Sequence, residues 1–192
     1  NLEDEFIEEV AAHHTGGHLK IAPEHVSEKV LGVMKKPSIE GTDTFAEKFT
    51  AASRRAGKEQ YVVPYFIASH PGSGVEEMIE LAVYLKQRGY RPRQVQDFIP
   101  TPMSMATSMY YSGKDPFTGE PVYTAKSLRD KRMQKALLLY WDPAHHDLAR
   151  EALKQAGRHD LIGSHAKALV PPARGKGSLS IHQRRGTRRK RR

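Results

Sequence analysis

Two short stretches of this 192-residue chain set acid–base side chains among turn-forming residues. In the first, Pro23 precedes Glu24 and His25, a carboxylate beside an imidazole. Such a pair can move a proton or hydrogen-bond the hydroxyls of a sugar. In the other reading, Glu24 caps the following helix and His25 faces solvent. The second stretch is Ser69-His70-Pro71-Gly72-Ser73-Gly74. Free amides at a helix start suit anionic or polar ligand groups, and Gly72 and Gly74 let a ligand approach the backbone. The alternative is a tight turn without a ligand. Ser69, His70 and Asp97 have the residue types of a nucleophilic triad, and a hydrolase using His70 or Glu24 is one class to weigh, but their spacing carries no triad signature. His13-His14 and His145-His146 fall in helical stretches, where adjacent side chains diverge by about 100°. Neither pair is expected to hold a metal.

A pattern repeated three times positions these residues. Apolar runs over 18–22, 60–68 and 95–99 each end in a polar loop rich in Pro, His or Gly. Helical periodicity fills the gaps between them. Phe6, Ile7, Val10 and Ala11 mark a helix over 3–14, and Val26, Val30 and Met34 mark one over 26–36. Phe45, Phe49 and Ala52 mark a third over 42–56, with 37–41 as the loop before it. The next helix opens with the capping-box pattern Ser73-Gly74-Val75-Glu76, carries Met78, Ile79, Ala82 and Leu85, and stops at Gly89. Strands alternating with helices predict an α/β fold with parallel strands and outer helices, whose ligands bind at the carboxyl ends of the strands. Pro64 implies an edge position, a bulge or a strand start. Residues 100–124 hold four prolines and two glycines and predict a long functional loop. Helices over 125–141 and from Asp142-Pro143 to Gly157 complete a helical hairpin.

The chain has no cysteine, which excludes disulfides, thiolate nucleophiles and cluster ligation by its own residues. No apolar run is long enough to span a membrane, and a cytoplasmic protein is expected. Residues 1–9 read as an acidic helix start and not as a signal peptide. Without an initiator Met, the chain reads as a piece of something longer. The net charge of +9 resides in residues 174–192, which contain nine Lys and Arg and no acid. This tail, from 173 onward, is expected to be disordered and is a candidate for nonspecific contact with RNA phosphates. It lacks the interleaved aromatics that stack bases. A nucleic-acid-binding module acting through the tail is therefore the alternative to a small-molecule site at the strand ends.

Five segments taken together resemble the YgiQ-type radical S-adenosylmethionine (SAM) family. They are Leu19-Lys20-Ile21-Ala22-Pro23-Glu24-His25, Met34-Lys35-Lys36-Pro37, Val63-Pro64-Tyr65-Phe66-Ile67-Ala68-Ser69-His70-Pro71-Gly72, Gln94-Val95-Gln96-Asp97-Phe98-Ile99-Pro100-Thr101-Pro102 and Tyr110-Tyr111-Ser112-Gly113-Lys114-Asp115-Pro116. The resemblance runs over about residues 3–172. It implies the C-terminal half of a partial β/α (radical SAM, TIM-like) barrel with three parallel strands, followed by a helical hairpin and a disordered tail. The barrel part and its long loop would occupy 1–124, the helical region 125–172 and the tail 173–192. The family's CxxxCxxC loop holds a 4Fe–4S cluster, so the implied partner is a missing N-terminal half that carries the cysteines. SAM is the implied cofactor. Glu24 and His25 would lie near its ribose, Ser69, His70, Pro71 and Gly72 near the adenosine, and Phe98, Pro100 and Thr101 near the adenine. The resemblance thus implies an enzyme of undefined substrate, of which this chain alone is inactive.

Overall fold

The computed structural model describes residues 3–93 and 95–173. Strand β1 is His18–Glu24, β2 is Tyr61–Ala68 and β3 is Gln96–Asp97. They form one three-stranded sheet in the order β1-β2-β3, and both pairings are parallel. The fold is therefore α/β, with a parallel sheet flanked by helices, as the alternating pattern predicts. β1 and β2 run side by side from His18↔Tyr61 to Glu24↔Phe66. β3 is shorter than the apolar run 95–99 suggests, and pairs only with Ile67 and Ala68. Pro64, opposite Ile21 of β1, thus lies where β2 has no second neighbour. An edge position tolerates the missing N–H.

Local side-chain chemistry sets the helix boundaries. α1 (Asp4–Glu9) opens with two acids and passes into a wider π turn over Val10–His14, so 3–14 is not one regular helix. α2 is Glu28–Met34, shorter than expected because Lys35 turns left-handed at φ 56°. α3 (Ile39–Arg55) starts earlier than expected, because the Ser38 hydroxyl accepts the Glu40 N–H. α4 is Val75–Gln87, with Gly74 as its N-cap. The carboxylate that reaches back to the Gly74 N–H belongs to Glu77, so the box sits one residue later than the pattern Ser73 to Glu76 suggests. Residues 100–124 are not all loop: α5 (Met105–Ser112) lies within them, capped by the Ser104 hydroxyl on the Thr107 N–H. α6 (Leu128–Leu138) is capped in the same way by Ser127, and α7 is His146–Gln155.

Two apolar clusters meet the sheet at different heights. Near the amino ends of β1 and β2, Ile7 and Ala11 pack on Phe49 and Ala52 of α3, with Leu19 and Val62 against them. Nearer the carboxyl ends, Phe66 and Ala68 join the buried faces of α4, α6 and α7, including Met78, Leu81, Leu137 and Leu153. The helical hairpin thus shares a core with β2 and α4. Each fully buried Leu or Phe there is worth about 2–5 kcal/mol against truncation to Ala. Among the described residues, no helix is long and apolar enough to cross a membrane. Ala173 is exposed, and the disorder and RNA contact expected of 174–192 lie outside the described residues.

Candidate functional site

The carboxyl end of β1 is bent by an extra residue. Pairing runs Ile21↔Pro64 and then Glu24↔Phe66, so three steps along β1 match two along β2. A bulge of this kind re-aims the side chains that follow it. Glu24 emerges with φ 69°, and Ser69, just past the end of β2, has φ 65°. Left-handed backbone at a residue with a Cβ costs on the order of 1–2 kcal/mol and persists only where the surroundings enforce it. At β1, the Lys36 ammonium donates to the Ala22 carbonyl at 2.6 Å and stands 3.8 Å from the Glu24 carboxylate. At β2, the Ser69 N–H donates to the side-chain oxygen of Gln134 on α6 at 2.8 Å.

Gln134 is the centre of a buried polar network. Its amide nitrogen donates to the Ser73 carbonyl at 2.8 Å, and the Ser73 hydroxyl lies 3.4 Å from both the Gln134 oxygen and His25 Nε2. His25 Nδ1 accepts the Ser27 N–H at 3.0 Å. The network joins the loops after β1 and β2 to α6. His25 is fully buried, which overturns its reading as a surface residue. Burial pushes its imidazole down to about 4, against the pull of Glu77, and His70 adds to the lowering. Nor does Glu24 cap α2, whose N-cap is Ser27.

A cleft of about 350 Å³ opens above these strand ends. Glu24, Ile67, His70 and Phe98 contribute from the sheet side, residues 33–36 from the end of α2, and Met105 and Met109 from α5. Phe117 closes one wall. The His70 ring meets Phe98 edge-on at 5.2 Å, and Phe98 in turn lies 5.7 Å from Tyr110. His70 Nδ1 is 2.8 Å from the Pro71 carbonyl, which can only accept, so Nδ1 carries the proton. Burial lowers the His70 pKa, and the Pro71 contact partly opposes that shift. Cavities of about 530 and 800 Å³ lie elsewhere, beside the amino half of β2 and between α4 and residues 158–169. The smaller cleft is the candidate because all three strand ends converge on it, as ligand sites of open α/β sheets do.

The residues singled out from the sequence fall into three groups. Glu24, His70 and Phe98 line the cleft together. His25, Ser69, Pro71 and Gly72 are buried beside it. The Gly72 N–H donates to the Tyr123 carbonyl at 2.8 Å, and its φ of 89° is one that glycine favours. Pro100 is half-buried and Thr101 exposed, and the Thr101 carbonyl accepts the Thr107 hydroxyl of α5. Ser69, His70 and Asp97 do not form a hydrogen-bonded triad. Asp97 pairs with Lys135 at 3.2 Å, and the buried Ser69 hydroxyl has no partner among the described residues. Asp97 Oδ1 and Thr15 Oγ1 are also buried without partners. Among the described residues, no three His, Asp or Glu side chains converge to hold a metal ion. Sequence reasoning missed Gln134, although a glutamine four residues before Leu138 on an apolar stripe marks a buried polar group. It also missed the α5 wall.

Residues 93–192 match the family described as "Domain of unknown function (DUF3362)". The chain is 50% identical over 170 residues to a "UPF0313 protein" of Methanosarcina acetivorans, covering 88% of this chain and 23% of that protein. A "UPF0313 protein" of Methanosarcina mazei is 49% identical over 170 residues, covering 88% and 27%. One from Methanocella arvoryzae is 45% identical over 172 residues, covering 90% and 29%. The chain thus spans about a quarter of the length of these relatives.

Proposed function

Because this chain belongs to the DUF3362 family, and its relatives are between three and four times its length, we propose that it is the SAM- and substrate-binding half of the radical SAM barrel of a longer enzyme. The observation that carries this reading is the convergence of Glu24, His70 and Phe98, each from the carboxyl end of a parallel strand, on one cleft. The resemblance of the strand-end motifs to YgiQ-type proteins supports it, and so does an open parallel sheet of the kind that forms part of a TIM-like barrel.

The 4Fe–4S cluster does not fit this chain. Iron–sulfur clusters are held by thiolates, and there is no cysteine in the 192 residues. The ligands would come from another segment of the longer protein. SAM fits the cleft better. The Glu24 carboxylate, about a quarter exposed at the rim, offers two acceptors to a ribose diol. The buried loop Ser69–Gly72 would border the adenosine, and the Phe98 ring with the backbone at Pro100 and Thr101 the adenine. Reductive cleavage of the sulfonium is the chemistry that SAM and cluster supply together. The residues of this chain bind, orient and exclude water. Without the cluster-bearing segment the chain is inactive.

Glu24→Gln in the longer protein tests this reading. The exchange keeps shape and removes the charge-assisted bonds, each worth about 1.5–3 kcal/mol. SAM affinity measured by calorimetry should fall at least about tenfold. Unchanged affinity in a folded variant would remove Glu24 and its cleft from the SAM site.

A further inference from the structure

We propose that His70 is a fixed hydrogen-bond acceptor in the strand-end cleft, and that the cleft takes a flat, apolar ligand bearing an N–H or O–H donor. The inference rests on the reading of this cleft as the binding site and names the chemistry that it selects. The Pro71 carbonyl, 2.8 Å from Nδ1, holds the proton on that nitrogen. The lone pair of the neutral ring is therefore on Nε2. No described residue donates to Nε2, while His70 forms part of the cleft wall. The Phe98 edge at 5.2 Å holds the ring in place. Burial disfavours the imidazolium, so the acceptor persists at neutral pH.

The charged groups of the cleft, Glu24, Lys35 and Lys36, each stand near an opposite charge. Glu24 stands 3.8 Å from Lys36, and Lys35 stands 3.9 Å from Asp115. These two pairs offset each other's charge. The rest of the lining is apolar and soft: Phe98, Phe117, Met34, Met105 and Met109. Methionine sulfurs and aromatic edges favour a planar ring, and the fixed acceptor on His70 orients it.

The test compares indole, which has an N–H donor, with 1-methylindole, which lacks it, by ligand-detected NMR titration on the full chain. A neutral hydrogen bond corresponds to roughly a threefold to tenfold preference, and wild type should bind indole more tightly by that factor. In His70→Phe a ring of similar shape remains but has no lone pair to accept a hydrogen bond. The preference should vanish while 1-methylindole binds as before. Equal affinities in wild type, no indole binding, or a preference retained in His70→Phe would overturn the proposal. If the variant does not fold, ¹⁵N spectra of the wild-type imidazole decide: a pyridine-type Nε2 supports it, and a protonated Nε2 overturns it. SAM binding by the longer protein without an indole preference would overturn this inference alone. An indole preference without SAM binding would overturn the SAM reading alone.

Discussion

Replacing Gln134 by Leu should cost the fold more than its size suggests. Leucine nearly matches the glutamine in volume, so little cavity forms. What is lost is two hydrogen bonds of 2.8 Å, one from the Ser69 N–H and one to the Ser73 carbonyl. Ser69, Ser73 and Gln134 are all fully buried, so no water replaces the lost partner. A buried polar group left unsatisfied costs about 1–3 kcal/mol, and two of them about 2–6 kcal/mol. Against a total stability of about 5–15 kcal/mol for a domain, that is a large fraction. For a domain of this size it corresponds to a fall in Tm of roughly 4–24 °C. Urea denaturation of wild type, Gln134→Leu and the neighbouring exposed control Arg132→Leu would measure it. Hydrogen exchange would locate it, since the Ser69 amide should lose protection ahead of the α4 amides. A loss below about 0.5 kcal/mol, or a Ser69 amide as protected as before, would show that the network does not hold the strand-end loop.

Acid should weaken the fold through His25. Its folded pKa, about 4, lies below its ordinary value, so the unfolded chain binds more protons between about 4 and 6.5. Stability from this group is complete above about pH 6.5 and is lost as pH falls towards 4, by about 3 kcal/mol in all. His25→Asn should flatten that part of a stability–pH curve, and an unchanged slope would assign the acid loss to other groups. Gly72→Ala should destabilise by about 1–2 kcal/mol from its positive φ, and by more because the new Cβ would sit 3.2 Å from Val33 Cγ2. Gly89→Ala, at φ 69° with open space around it, gives the backbone cost alone. Equal losses in the two variants would mean that Val33 yields freely.

The alternation of strands with helices and the helical stripes were legible because period and polarity report directly on burial. Phe45, Phe49 and Ala52 mark α3, and Val75 to Leu85 mark α4, before any tertiary contact is known. The site was legible only in part. Glu24, His70 and Phe98 stand at strand ends, where topology brings them together. The burial of His25 was not legible, since it depends on Ser73 and Gln134, 48 and 109 residues further along the chain. α5 was hidden because prolines at 100, 102, 116 and 121 dominate its surroundings and it is only eight residues long. β3 was overestimated because an apolar run shows how much chain is buried and not how much is paired. Phe98 follows the strand as a cleft residue, and Ile99 is largely exposed.

The bond from Ser69 to Gln134 also sets an order of events during synthesis. The two residues are 65 positions apart, so the loop after β2 leaves the ribosome well before its partner. β1, β2 and α4 can associate while α6 is still being made, but the Ser69 N–H then has no acceptor in the fold. The left-handed turn at Ser69, and with it the placement of His70, becomes favourable only when α6 docks. The cleft is thus a late product of folding, completed by a helix that lines none of it. A ligand able to bind there would meet a finished site only after translation has passed residue 138.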